Sequence, residues 1–292
     1  MNFVARSSLA VLLINAHFAH ISHANRNVDK NSSALKVESV KRLSKGYQDV
    51  INLSFFALFA QEQRYVNQGA SSKFGKSAGM ELFIRVPNPA EKGKYFNTED
   101  FIIHINQAGQ LGALTKKIIE KVIRNASMLN QSNAPYYINV PPPLISPAFA
   151  KELAQKLTAA GLPHNLIGIE LTEREAILDR LAFDAGMVEL KKMGIPLALD
   201  DYGKGNATRE FLVGLPVGRV KIDRGTLCDA QKDATLAEQL RLDVEFMKKS
   251  GAEVIAEGIE TADDCTFVLN LGCDGIQGYI FDSPKMLIPV DA

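Results

Sequence analysis

The chain has 292 residues, room for one large domain or two small ones, and its 46% apolar and 23% charged content is ordinary for a globular protein with a full core. Lys plus Arg equals Asp plus Glu at 33 each, so the formal net charge is zero; no global basic field for nucleic acid and no acidic tail is present. The three cysteines, Cys228, Cys265 and Cys273, are odd in number and too widely spaced for a zinc ribbon or a CxxC pair, and they fit buried thiols in a reducing compartment.

The chain starts MNFVARSSLAVLLINAHFAHISHAN, a weak basic start and an apolar stretch around Leu9 to Ile14 that outlines a signal peptide. Asn15, His17 and His20 interrupt the run, which is also too short to span a bilayer. An amphipathic or poorly ordered leader is the expectation, with a cytoplasmic protein; export follows only if residues 1–24 are cleaved. Residues 25–46 are polar, mostly basic and aperiodic, and read as a linker or lone surface helix. The expected division is therefore a leader over 1–46 and a domain over 47–292, with no transmembrane segment.

From about residue 50 short apolar runs alternate with stretches of helical period. Strands are predicted at 55–61, 80–86, 136–140, 166–171, 196–200, 218–223, 252–257 and 275–279, and helices at 114–129, 148–161, 177–194, 235–251 and 262–272. In the 235–251 helix Leu236, Leu240, Leu242, Val244 and Met247 form an apolar stripe. Strands alternating with helices indicate an α/β fold with a largely parallel sheet, and eight units match a closed TIM-like (β/α)8 barrel. The alternative, an open doubly wound sheet, should carry a glycine-rich phosphate loop after its first strand, and none is present.

A barrel places its site at the C-terminal ends of its strands. Polar side chains recur along the strands: Glu81 near the start rather than the end of the second, with Arg85 on the same face, Asn139 and Glu170 near the ends of the third and fourth, and Asp200 and Asp201 at the end of the fifth. Lys221 and Asp223 follow on the sixth, Glu257 and Glu260 at the seventh, and Gln277 on the eighth. Each alone has a plain structural reading: Asn139 caps a turn, Lys221 pairs with a carboxylate, Gln277 bonds to backbone, and adjacent aspartates sit in a solvated turn. Recurrence on successive units outweighs those readings.

Glu81, Glu170, Asp200, Asp201 and Glu257 would gather about five negative charges, each close pair costing a few kcal/mol at an effective dielectric of about 20. Divalent cations would have to hold them, and an all-oxygen set including the Asn139 amide suits Mg2+ or Mn2+ rather than zinc. Asp200 could bridge two ions ~3.5–4 Å apart with Asp201 on the second, an arrangement for in-line displacement at phosphorus. Lys221 would orient a water or stabilise charge, and Arg85 would grip phosphate.

The stretches IGIELTE, LALDDYGKGNATREFLVGLPVGRVKIDR and VIAEGIETADDCTFVLNLGCDGIQGYIFDSP resemble the signature blocks of EAL domains, the bacterial phosphodiesterases for cyclic di-GMP. AGMELFIRV resembles the name-giving motif, reading Glu81-Leu82-Phe83, YINVPP the asparagine motif and TEDFIIHINQAG the substrate-side loop; the likeness covers roughly 52–284. It implies one metal on Glu81, Asn139, Glu170 and Asp200, and a second on Asp200, Asp201 and Glu257. It implies that Lys221 holds the attacking water with Asp223 and Glu260 in support, and that Gln61, Arg85 and Gln277 contact substrate. Glu173 would brace the loop after the aspartate pair, where Gly203 and Gly205 permit a sharp turn. The implied reaction is linearisation of cyclic di-GMP to pGpG in a protein that often dimerises.

Several positions depart from the family pattern. Pro141 stands where serine is usual, Asn106 replaces a glutamate in the substrate-side loop and Arg209 an apolar residue, and residues 62–79 are longer and more polar than usual. Most of the usual last helix is missing before Ala292, so the N-terminal segment or a partner is expected to cover the apolar surface. Residues 1–46 carry no GGDEF-like, PAS-like or receiver pattern, and regulation is expected from the leader, a dimer or another protein. Beside the active phosphodiesterase stand a catalytically silent cyclic di-GMP receptor or interaction module, and a barrel enzyme of enolase-like class acting on a carbon acid.

Overall fold

The computed structural model describes residues 56–66, 74–88, 91–129, 134–172, 176–205 and 207–290. The leader at 1–46 and Glu173 lie outside them.

Strands β1 (Ala57–Val66), β2 (Phe74–Arg85), β3 (Tyr136–Val140), β4 (Ile167–Leu171), β5 (Leu197–Tyr202), β6 (Arg219–Ile222), β7 (Glu253–Ala256) and β8 (Gly275–Ile276) close into a ring. β2 through β8 pair in parallel, each with its successor, and β1 joins β8 to β2. The short strands IGIEL and RVKI are buried throughout, the mark of a sheet covered on both faces. This is the TIM-like barrel that the strand–helix alternation predicts.

Parallel pairing fails at one strand. β1 runs antiparallel to both β2 and β8, and a ninth strand, β9 (Lys285–Ile288), pairs with the first half of β1. The cause is chain length: only residues 67–73 separate β1 from β2, whereas a parallel crossover needs a dozen or more. Reversal also places Gln61 within β1, opposite Glu81, instead of at a strand end. β2 begins at Phe74, so Glu81 lies well inside it rather than near its start.

Helices α1 (Thr98–Gln107), α2 (Leu111–Arg124), α3 (Pro147–Ala159), α4 (Arg180–Lys192), α5 (Arg209–Leu212), α6 (Arg224–Lys232), α7 (Ala234–Lys249) and α8 (Ala262–Leu271) fill the crossovers. The stretch TEDFIIHINQ, expected as a loop, is helix α1, started by Asn97 accepting from Asp100 N–H and held inward by Phe101 and Ile105. The α7 stripe is narrower than predicted. Leu240, Val244 and Met247 are buried at i, i+4 and i+7, while Leu242 falls off that face and Leu236 lies in the exposed first turn. None of the three cysteines forms a disulfide; Cys265 and Cys273 are buried and Cys228 is half-buried. No helix among the described residues is long and apolar enough to cross a membrane.

Inside the ring the strand period of two stacks side chains in layers. Tyr137 pairs with Gly168 and Ala198 with Arg219, and each of these four lies below Asn139, Glu170, Asp200 and Lys221, which stand two residues further along the same strands. Gly168 is required in the lower layer, because a Cβ there would sit 2.5 Å from the Tyr137 ring. The apolar-to-polar change along each strand is thus a change of height inside one barrel.

Candidate metal and active site

Lys221 sits at the centre of the upper layer, fully buried. Its ammonium lies 2.9 Å from Glu81 Oε2, 3.2 Å from Glu170 Oε2, 2.8 Å from Asp200 Oδ1 and 2.6 Å from Glu257 Oε1. Burial opposes that charge, yet Asp200, Glu170, Glu257 and Glu81 together hold the Lys221 pKa well above its ordinary value. Burial pushes the Glu170 carboxyl up to about 8 and the Glu257 carboxyl well above its ordinary range, each against the pull of Lys221.

Adjacent residues of a regular strand point to opposite faces, so Asp200 and Asp201 should diverge. They do not, because the β5–β6 ladder breaks between Leu199 and Tyr202 and Asp201 takes φ 52°, the left-handed region. Bulges of this kind re-aim side chains next to active sites. Two carboxylate groups result that share Asp200: Glu81 with Glu170 and Asp200, and Asp200 with Asp201 and Glu257, each with oxygens within 4.8 Å of one another. The sequence expectation drew its two ligand sets from these carboxylates, with the Asn139 amide added to the first.

The donor set fits divalent cations. Lys221 faces four of the five carboxylates and Lys204 stands 4.0 Å from the fifth, Asp201, so acidic groups outnumber cations and divalent ions would balance the excess. Asn139 donates from Nδ2 to Glu81 Oε1 at 3.3 Å, while its own Oδ1 is buried without a hydrogen-bond partner. A buried acceptor with no donor, beside carboxylates, is what an oxygen-ligated cation satisfies. Gln277 Oε1 is a second such acceptor; its Nε2 donates to Glu81 Oε2 at 2.6 Å and Gln61 Oε1 at 3.3 Å. Gln61, also buried, donates to the Asp282 carbonyl at 3.0 Å. The structure thus brings Gln61 and Gln277 together with Glu81 inside the barrel.

A cavity of about 630 Å3 opens beside Asn139, Asp200 and Asp201, walled by Phe83, Arg85 and Pro141 and by residues of α1 and α2. Arg85 donates to the Ile84 carbonyl at 2.9 Å and to Thr98 Oγ1 at 3.0 Å, and its guanidinium lies over the Phe83 ring at 5.7 Å. Thr98 and Glu99 line this cavity, whereas Asn106 sits on the exposed face of α1 away from its wall.

Asp223 and Glu260 stand outside the carboxylate cluster. Asp223 caps α6, accepting from Gly225 and Thr226 N–H, and pairs with Lys204 at 2.5 Å. Glu260 is ion-paired with Arg224, which also donates to the Gly258 carbonyl at 2.7 Å. Gly203 and Gly205 both have positive φ, 98° and 49°, and Gly203 packs so closely on Thr226 that a Cβ would fall 2.2 Å from its Oγ1. Lys204, Thr226 and Asp223 therefore hold the loop after the aspartates against the start of α6. Arg209 instead anchors to α7, 4.2 Å from the Phe246 ring and 3.7 Å from Asp243.

The strand-end rule missed Gln63 and Arg219, both buried and polar. Gln63 donates to Glu170 Oε1 at 3.4 Å and accepts from Arg219 at 2.6 Å. Period two from Gln61 on β1, and from Lys221 on β6, would have placed both inside.

Fold and site define a (β/α)8-type barrel with a cluster of acidic, oxygen-donor side chains at the mouth that could hold a metal ion. The family model for the EAL domain matches residues 69–284, and the chain belongs to that family. Among curated proteins, it is 27% identical over 214 residues to the cyclic di-GMP phosphodiesterase PdeL of Escherichia coli (strain K12), covering 72% of this chain and 59% of the relative. The chain spans less than two thirds of the length of the curated relatives it matches. Among solved structures, an EAL domain protein from Listeria monocytogenes EGD-e superposes with a TM-score of 0.69 at 22% identity, over 82% of this chain and 92% of that one. The FimX EAL domain from Pseudomonas aeruginosa, solved bound to c-di-GMP, gives 0.67 at 19% identity, over 85% and 98%.

Proposed function

We propose that the chain is a phosphodiesterase that hydrolyses cyclic di-GMP to linear pGpG with two Mg2+ or Mn2+ ions. The observation that carries this reading is the pair of three-carboxylate groups sharing Asp200, with Lys221 between them and the unpartnered Asn139 oxygen alongside. Glu81, Asn139, Glu170 and Asp200 would hold one ion, and Asp200, Asp201 and Glu257 the other. When bound, the ions supply charge neutralisation and Lewis-acid polarisation of the scissile phosphodiester.

The remaining work falls to side chains. Lys221, between the two carboxylate groups, would hold the attacking water by donating an N–H to it. Arg85, at the cavity wall, grips a phosphate oxygen, while Gln61 and Gln277, buried beside Glu81 and outside that wall, are the further substrate contacts this reading assigns. Asp223 acts through Lys204 on the loop after the aspartates. Glu260 acts through Arg224, which braces the turn following Glu257. The relatives named as cyclic di-GMP phosphodiesterases support the substrate class.

A second reading, a silent receptor for the same dinucleotide, is favoured by one observation: Lys221 already engages four carboxylates, so the cluster holds together as it stands. Incubation with cyclic di-GMP and either Mg2+ or Mn2+ separates the two. Linear pGpG from wild type, lost in Glu81→Ala, supports the enzyme; tight binding without product from folded, metal-supplied protein leaves the receptor.

A further inference from the structure

One layer below the carboxylates the barrel carries a polar chain that the reading above leaves unused. Arg219 is buried at 3% exposure and Gln63 at 0%. Arg219 donates to Gln63 Oε1 at 2.6 Å, to the Ala78 carbonyl at 3.1 Å and to Glu253 Oε2 at 2.6 Å, and its guanidinium lies 4.9 Å over the Tyr137 ring. Glu253 is held in turn by the Tyr65 hydroxyl, which donates to its Oε1 at 2.6 Å. Both Tyr65 and Tyr137 keep their phenolic protons, since burial raises each to about 12.

The orientation of Gln63 follows from chemistry. A guanidinium has donors only, so the end of the amide that meets Arg219 must be the carbonyl. The amide N–H then faces the other way, toward Glu170 Oε1 at 3.4 Å. A flipped amide would set donor against donor below and oxygen against carboxylate above. Glu170 Oε2 meanwhile faces Lys221 at 3.2 Å. Glu170 is therefore held at one oxygen by an amide whose own direction is set by an ion pair beneath it.

We propose that Gln63, aimed by Arg219, is a positioning residue that presents Glu170 to its cation in a single orientation. The inference rests on the metal reading of the site and adds to it the groups that orient one ligand. Hydrogen-bond partners of ligating carboxylates are worth about 10–100-fold in metal affinity. An apolar side chain at 63 would leave Glu170 Oε1 and an Arg219 N–H both without a partner in a dry interior, at the cost that such orphans carry.

The test is Mn2+ binding by titration calorimetry on folded protein, checked by circular dichroism, so the readout is affinity and not turnover. Gln63→Leu is expected to weaken Mn2+ binding about 10-fold or more. In a Glu170→Gln background the same change is expected to cost nothing further, because the group it positions no longer ligates as a carboxylate. Wild-type affinity in Gln63→Leu, or an equal loss in both backgrounds, overturns the inference. Should Gln63→Leu not fold, Arg219→Lys carries the test: one ammonium cannot serve Gln63, Ala78 and Glu253 together, so weaker Mn2+ binding is expected and wild-type affinity overturns the proposal. If wild-type protein takes up no Mn2+, the metal reading falls and this inference with it. If wild type binds and the variants match it, this inference falls alone.

Discussion

Lys221 is an ammonium enclosed by four carboxylates and closed to solvent, and its removal separates two roles. Breaking a buried ion pair by deleting one partner costs about 3–5 kcal/mol, because the other charge is left uncompensated. Lys221→Met is therefore expected to lower the melting temperature steeply in EDTA, by the equivalent of that cost. Mn2+ is expected to restore much of the lost stability, since cations neutralise the same carboxylates, without restoring turnover. Activity should stay about 100-fold or more below wild type, the scale for losing a group that handles the water. Calorimetric melting with and without Mn2+, beside a pGpG assay, checks both halves. Recovery of turnover along with stability would assign Lys221 to charge balance alone.

At the scale of elements, the loop from Asp201 to Ala207 decides whether two neighbouring aspartates can face one cavity. Its turn is closed by Gly203 N–H donating to the Ala207 carbonyl at 3.0 Å and Lys204 N–H to the Asp201 carbonyl at 3.0 Å. Gly203→Ala adds a methyl 2.2 Å from Thr226 Oγ1 at a φ of 98°, so the loop must shift. Backbone strain of this kind costs of order 1–3 kcal/mol. Turnover in the variant is expected to fall further than stability does, because Asp201 moves with the loop; a urea melt and a rate measurement compare the two. Asp223→Ala works from the other side, removing the α6 cap and the Lys204 pair. It is expected to cost about 1 kcal/mol and to weaken activity less than Gly203→Ala does. A larger activity loss in Asp223→Ala would place that carboxylate in the chemistry itself.

These elements also show what could be read before the structure. The strand-end rule located Asn139, Glu170, Asp200, Lys221, Glu257 and Gln277 because parallel barrel strands all present their C-terminal ends to one mouth, while Glu81 was read near the start of its strand. It failed for β1, whose reversal depends on the length of a connection and not on its own residues, and so placed Gln61 at an end. The rule was also silent on Gln63 and Arg219, since a polar residue inside a strand carries no mark of which buried group it serves. Helix α1 was hidden behind its polar first turn, Thr98-Glu99-Asp100, which reads as a loop until Asn97 is seen to cap it.

The whole molecule couples this site to its stability through protons. In the metal-free barrel burial raises the Glu170 carboxyl from its ordinary 4.5 to about 8, so the folded state holds that proton more tightly than the unfolded chain does. The stabilisation from this group is complete below pH 4.5 and is lost as pH rises through about 8. Glu257 shifts in the same direction, and Lys221 stays charged across the window because its own pKa lies well above the ordinary value. A cation needs these carboxylates ionised, so protons compete with it throughout that range. The rise in melting temperature on adding Mn2+ is therefore expected to be small at pH 5.5 and larger at pH 8, with proton release on binding that differential scanning and calorimetry in buffers of different ionisation enthalpy both detect. A shift of equal size at the two pH values, with no protons released, would mean that the cation binds elsewhere than among Glu170 and its neighbours.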